Sequence, residues 1–170
     1  MANRLAKLFV CLFFIFNYSA LAFNEEDATD AILTQTLLKL SEECGDGKGV
    51  SCHQLGMDYF ISENYSESFK FNELACRLDN GSGCEAIAYM HVEALGTRQD
   101  YNMGLSLYGK SCDLNHAIGC IGAGLMYLHG TGVNQNLSIA SIYYKKGCEL
   151  GHKSSCTTLK QIQLLLESNQ

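Results

Sequence analysis

Cys112-Asp113-Leu114-Asn115-His116-Ala117-Ile118-Gly119-Cys120 and Cys148-Glu149-Leu150-Gly151-His152-Lys153-Ser154-Ser155-Cys156 are one phrase, Cys-x7-Cys, written 36 residues apart. A third copy, Cys76 to Cys84, stands another 36 residues earlier, and a fourth, Cys44 to Cys52, a further 32 residues before it. A fixed period of this length marks a stacked array of supersecondary units. Sequence alone does not fix which cysteines pair, but geometry narrows it. Residues eight apart on a straight helix lie about 12 Å apart along its axis, whereas a disulfide needs Cα atoms within roughly 7 Å. A bridge within a pair therefore requires the chain to turn. The segments between supply turn residues: Gly45-Asp46-Gly47-Lys48-Gly49, Asp79-Asn80-Gly81-Ser82-Gly83, Asn115 to Gly119, and Gly151 to Ser155. The pairing favoured is Cys44–Cys52, Cys76–Cys84, Cys112–Cys120 and Cys148–Cys156, each pinning the end of one helix to the start of the next. A small loop of this kind contributes about 2–3 kcal/mol in the chain-entropy model. Zinc is the rival use of cysteine, but its sites usually space ligands roughly two to four residues apart, and no pair here does.

Outward from the pairs, the pattern is helical. Counted from the second cysteine, position +3 is Leu55, Ile87 and Ala123, and +4 is Gly56, Ala88 and Gly124. Position +7 is Tyr59, His91 and Tyr127, and +8 is Phe60, Val92 and Leu128. That spacing predicts a buried helical face, with a small residue at +4 to let a neighbour approach. Counted back from the next first cysteine, −5 is Phe71, Leu107 and Tyr143, and −8 is Ser68, Gly104 and Ala140. Each unit thus reads as an αα-hairpin: helix A after the second cysteine, helix B before the next first one. The shorter loop at Ile61-Ser62-Glu63-Asn64 accounts for the 32-residue offset. With no proline and 47% apolar residues, the composition favours helices over a sandwich or barrel.

The first 22 residues read as an export signal. Arg4 and Lys7 supply the charged start, Leu8 to Phe16 an apolar run too short to span a bilayer comfortably, and Ala20-Leu21-Ala22 a small-residue cleavage box. Cleavage is expected after Ala22, leaving no membrane insertion and a periplasmic or secreted location. Losing Arg4 and Lys7 moves the net charge from −6 to −8. An acidic chain without a basic stripe argues against nucleic-acid partners. Eight cysteines remain after the signal, an even count that behind an export signal implies a disulfide framework.

The third unit carries a family resemblance: Gly124-x-x-Tyr127-x-x-Gly130-x-Gly132-Val133, then Ala140, Tyr143-Tyr144-x-Lys146 and Cys148-x-x-Gly151. It resembles the Sel1-like repeat family, and within it the cysteine-rich bacterial branch of Helicobacter cysteine-rich proteins. The second unit departs from the pattern with Ala88 and His91; the first keeps Gly56 and Tyr59 but lacks the Gly-x-Gly loop. The resemblance covers residues 44–156 and implies an all-α solenoid, a right-handed superhelix like that of tetratricopeptide repeats. The expected organisation is an opening cap over 23–43 and repeats over 44–75, 76–111, 112–147 and a partial 148–156. A closing cap over 157–170 completes it.

A repeat scaffold does not fix an activity. The resemblance implies protein–protein interaction, in the envelope, with a host or as immunity to a toxin, by a chain expected to be monomeric. If +3, +4, +7 and +8 are buried, then +2, +5, +6 and +9 line the concave face. These are Gln54, Met57, Asp58 and Ile61; Ala86, Tyr89, Met90 and Glu93; Gly122, Leu125, Met126 and His129. Adaptable methionines and exposed apolar groups suit a peptide or a partner helix. The resemblance also raises β-lactam binding or weak hydrolysis, yet Ser-x-x-Lys is absent. Thr36-x-x-Lys39 and Thr157-x-x-Lys160 have only the spacing. A third reading, handling of haem or metal, meets no Cys-x-x-Cys-His and no ligand spacing among the five histidines. No catalytic residue, metal ligand or cofactor is singled out.

Overall fold

The computed structural model describes residues 31–168. The expected export signal, residues 23–30 of the expected opening cap, and the last two residues lie outside the described residues. The chain divides into two compact units between Lys39 and Leu40. Residues 31–45 are helical (α1). The repeated hairpins belong to the second unit.

Its helices are α2 (Gly49–Ile61), α3 (Tyr65–Arg77), α4 (Gly81–Glu93), α5 (Tyr101–Asp113), α6 (Ala117–His129), α7 (Leu137–Glu149) and α8 (Lys153–Ser168). No strand occurs among the described residues. α2, α4 and α6 are the A helices, α3, α5 and α7 the B helices, and α8 takes the A position after the last cysteine pair. From α2 to α7 every helix has 13 residues. That is about 20 Å of helix, marginal in isolation, so packing must hold each one. The architecture is an all-α solenoid of αα-hairpins stapled by disulfides.

The B-to-A turns share one geometry. Three residues past the first cysteine stands a left-handed residue: Gly47, Asp79, Asn115 or Gly151. The next N–H then donates to the carbonyl five residues earlier, Lys48 to Glu43, Asn80 to Ala75, His116 to Ser111 and His152 to Gly147. These bonds satisfy helix-end carbonyls and reverse the chain. They bring the cysteine Cα atoms to 4.7, 4.4, 4.5 and 4.7 Å, and Cys44–Cys52, Cys76–Cys84, Cys112–Cys120 and Cys148–Cys156 are each bonded. Beside each of the last three bridges, small residues meet: Ala75 with Gly83, Ser111 with Gly119, Gly147 with Ser155. A Cβ on Gly83 would come within 2.5 Å of the Ala75 Cβ, and one on Gly119 would overlap the Ser111 side chain.

Inside each hairpin the small +4 residue lies against its own B helix. Gly56 leaves room for Asn72, and Gly124 for the Tyr144 ring. Tyr59 stacks on Phe71 and Tyr127 on Tyr143, at equivalent positions in two units. The B helices open on side-chain caps: Asn64, Asp100 and Asn136 accept from the N–H three residues on.

The two longer A-to-B loops also superpose in their bonding. Gln99 Nε2 donates to the Val92 carbonyl and Gln135 Nε2 to that of Leu128. Asp100 N donates to His91 O and Asn136 N to Tyr127 O. Their helix-ending residues are both left-handed, Ala94 at φ 58° and Gly130 at φ 72°. The second unit thus keeps the backbone of the third although it lacks its glycine. A left-handed L-residue costs about 1–2 kcal/mol, a penalty that glycine escapes. Ala94→Gly is therefore expected to stabilise the oxidised chain by about 1 kcal/mol. Gly119→Ala is expected to destabilise it by about 1–3 kcal/mol, because the backbone at the bridge cannot retreat. Urea unfolding with the disulfides intact measures both.

Candidate functional site

Successive A helices lie close together: α4 touches both α2 and α6, while the B helices α5 and α7 meet more slightly. The row with the closer spacing lines the inside of the curve, so the inner face belongs to α2, α4 and α6.

The structure rotates that face from the sequence-based expectation. Met90 is fully buried and Met126 is 4% exposed, so neither lines the surface. Position +6 points at the preceding repeat: Met126 packs with Ala88 and Tyr108, and the Ser68 hydroxyl lies 3.9 Å from the Met90 sulfur. The neighbouring hairpin covers this side of the helix, and a single-helix projection cannot include that neighbour. Asp58, at +6 of α2, has no complete hairpin before it among the described residues; it is half-buried and accepts a hydrogen bond from Gln54. The +5 residues do face outward, with Tyr89 and Leu125 each 41% exposed and Met57 half-buried. Gln54, Ile61, Glu93 and His129 are exposed, while Ala86 and Gly122 are half-buried. At +1, which the expected face left out, His53, Glu85 and Ile121 are half-buried like Ala86 and Gly122 at +2, and Ile121 packs against Ala140, Tyr144 and Ile162. The outer line of each A helix runs +1, +5, +9, one helical turn apart: His53-Met57-Ile61, Glu85-Tyr89-Glu93 and Ile121-Leu125-His129. Exposed apolar residues at +5 signalled this line, and its i, i+4, i+8 period would have supplied the rest.

The floor under this line comes from position −4 of the B helices, Asn72, Tyr108 and Tyr144, which are all buried. Asn72 Oδ1 bonds the His53 ring at 2.7 Å, and its amide donates to Ser68. The Tyr108 ring occupies the space that a side chain at Gly122 would fill, which sets it between α4 and α6. Burial first, then the charges of Glu85 and Glu93 and the neighbouring Tyr89, push its phenol above the usual tyrosine range. Burial also raises the Glu85 carboxyl. His116 at the start of α6 is held below the usual histidine range, by burial and then by His53.

The remaining candidates do not assemble a reactive site. Thr157 and Thr36 each point their hydroxyl at a carbonyl four residues back in their own helix. Among the described residues no group of three His, Cys, Asp or Glu is placed to hold a metal ion. No helix among them is long and apolar enough to cross a membrane. An open groove on the outer row, lined by Asn102, Ser106, Lys110, Asp113 and Tyr143, has its charges matched across repeats. Lys110 pairs with Asp79 at 3.2 Å and Lys146 with Asp113 at 3.0 Å.

Against known proteins, the Sel1 repeat pattern matches residues 38–80, 81–116 and 117–152. The chain belongs to the Sel1 repeat family. Such repeats are generally protein–protein interaction modules. Among solved structures, it is similar to a Sel1 repeat protein from Oxalobacter formigenes, with 17% identity and a TM-score of 0.65 over 74% of this chain and 97% of that one. It is similar to Helicobacter pylori cysteine rich protein B, with 25% identity and a TM-score of 0.63 over 75% and 94%. A third likeness is to c5321, a protective antigen present in uropathogenic Escherichia coli strains. There identity is 24% and the TM-score 0.69, over 74% of this chain and 28% of that one, so the chain spans about a quarter of its length. No match is found among curated proteins. The four disulfides of this chain point to an oxidising compartment outside the cytoplasm.

The Glu85 carboxyl tests the floor. Its raised pKa means the folded state holds the proton more tightly than the unfolded chain. The cost of its charge is absent below the ordinary value of 4.5 and develops as pH rises through the raised one. Glu85→Gln is expected to raise the melting temperature at pH 7, and the gain should vanish in thermal scans below about pH 4.

Proposed function

We propose that this chain is an exported docking module that holds one segment of a partner protein along its inner face. The observation behind this is the +5 line. Met57, Tyr89 and Leu125 stand at equivalent places in three successive repeats and leave apolar surface facing the inside of the curve. Equivalent side chains repeated along a solenoid fit an extended or helical segment, each repeat holding one side chain of it. In this reading the signal over residues 1–22 is cleaved after Ala22, and the chain works as a monomer in the periplasm or outside the cell. Its partners are proteins of the envelope, of a host, or a toxin that it neutralises.

A photo-crosslinking amino acid placed at position 89 or 125 is expected to capture a partner in the exporting cell. The same group at Ile142, which is 66% exposed on the outer row, is expected to capture none. Leu125→Glu should abolish capture from position 89 without changing the melting temperature. Equal capture from all three positions would refute an inner-face docking site. Intact mass of the exported protein checks the signal: it should lack residues 1–22 and take up no alkylating agent after denaturation.

A further inference from the structure

The inner row is chemically one-sided. α2, α4 and α6 together carry no lysine and no arginine; their ionised side chains are Asp58, Glu85 and Glu93. On α8, Lys153 and Lys160 stand at −3 and +4, off the outward line. The lysines of the B helices are engaged elsewhere: Lys70 with Glu67, Lys110 with Asp79, Lys145 with Glu149 and Lys146 with Asp113.

At the centre of this row three groups converge. Glu85, Tyr89 and Glu93 follow one another at helical-turn intervals of about 6 Å. Glu85 is half-buried, and neither it nor Glu93 has an ion-pair partner among the described residues. Beside them Tyr108, only 7% exposed, has a hydroxyl with no hydrogen-bond partner among the described residues. Its ring packs with Ala88 of α4 and fills the space beside Gly122 of α6, which sets it between the two helices that carry Tyr89 and Leu125. A half-buried carboxylate without a counter-ion carries a desolvation cost, and the Tyr108 hydroxyl, unpaired but not sealed from solvent, is open to a ligand. One kind of ligand group supplies the counter-ion, donates to the phenol oxygen and gains from the face of an exposed aromatic ring: a flat cation with several donors.

Resting on the docking reading above, we infer that the partner segment presents arginine. Its guanidinium lies over Tyr89, bonded to the carboxylate of Glu85 or Glu93 and to the Tyr108 hydroxyl, with an apolar neighbour against Leu125. A nucleic acid or an acidic peptide would meet only repulsion here.

The test uses the oxidised full-length chain and two fluorescein-labelled nonapeptides of alternating leucine and arginine, one with every arginine replaced by citrulline. Citrulline keeps the shape and removes the charge. Fluorescence anisotropy is expected to show the arginine peptide binding about tenfold or more tightly than its twin, the scale of a charge-assisted contact over an aromatic ring. That advantage should disappear in the double variant Glu85→Gln, Glu93→Gln and in Tyr89→Ala, and shrink in Tyr108→Phe, which keeps the ring. Melting temperatures confirm that each variant is folded. If both peptides bind equally and Leu125→Glu abolishes both, docking on the inner face stands and the arginine assignment falls. If neither peptide binds, or the advantage survives in the folded variants, the assignment falls as well.

Discussion

The turn closed by each Cys-x7-Cys bridge is the constraint on which the rest of the structure depends. It does two things at once. A left-handed third residue and a bond back to the carbonyl five residues earlier end helix B, and the disulfide holds the first turn of the next helix against that end. Helices of 13 residues have little stability of their own, and a solenoid repeat touches only its neighbours. A covalent clamp at every inter-repeat corner compensates for a core that is one hairpin thick. The corner also has to be narrow. Pairs such as Ala75 with Gly83 let the two backbones close to the separation that a disulfide requires.

From that corner the packing of the faces follows. With successive hairpins pulled together at one end, the A helices meet and the −4 side chains of the B helices are driven between them. Asn72, Tyr108 and Tyr144 become a floor rather than an outer surface. Position +6, which would be free on a lone hairpin, is sealed by the previous repeat, as Met90 and Met126 show. What remains most exposed lies at +5 and +9, with +1 half-buried beside it. This surface differs along the row: a histidine bonded to the floor in the first unit, carboxylates around a tyrosine in the second, aliphatic side chains in the third.

The charges are sorted by row as well as by residue. Lys110 and Lys146 stand two residues before a first cysteine and reach back across the corner to aspartates of the preceding unit. Such exposed pairs add little stability each, but they keep the cations on the outer row. The inner row is left with carboxylates and apolar groups. A binding surface that lacks one sign of charge discriminates among partners chiefly by what it repels.

Much of this was written in the sequence, because local rules govern it. The cysteine period, the glycines and asparagines of the corners and the apolar spacing are all short-range patterns, and they determined an all-helical array of αα-hairpins with its repeat length. The small +4 residue was legible as a point of close helix approach for the same reason, since the helix it meets lies within the same hairpin. Ala94 was not, because its left-handed backbone is imposed by a loop whose bonding matches that of the next repeat. Nor was the register of the inner face. Whether +6 or +1 meets solvent depends on where the preceding hairpin sits, and that contact joins residues more than twenty positions apart, as between Ser68 and Met90. The sequence by itself determined the hairpin and its repetition. Only the tertiary structure decided which side chains the stacking leaves uncovered, because burial there is set by the neighbouring repeat and not by the helix that carries the residue.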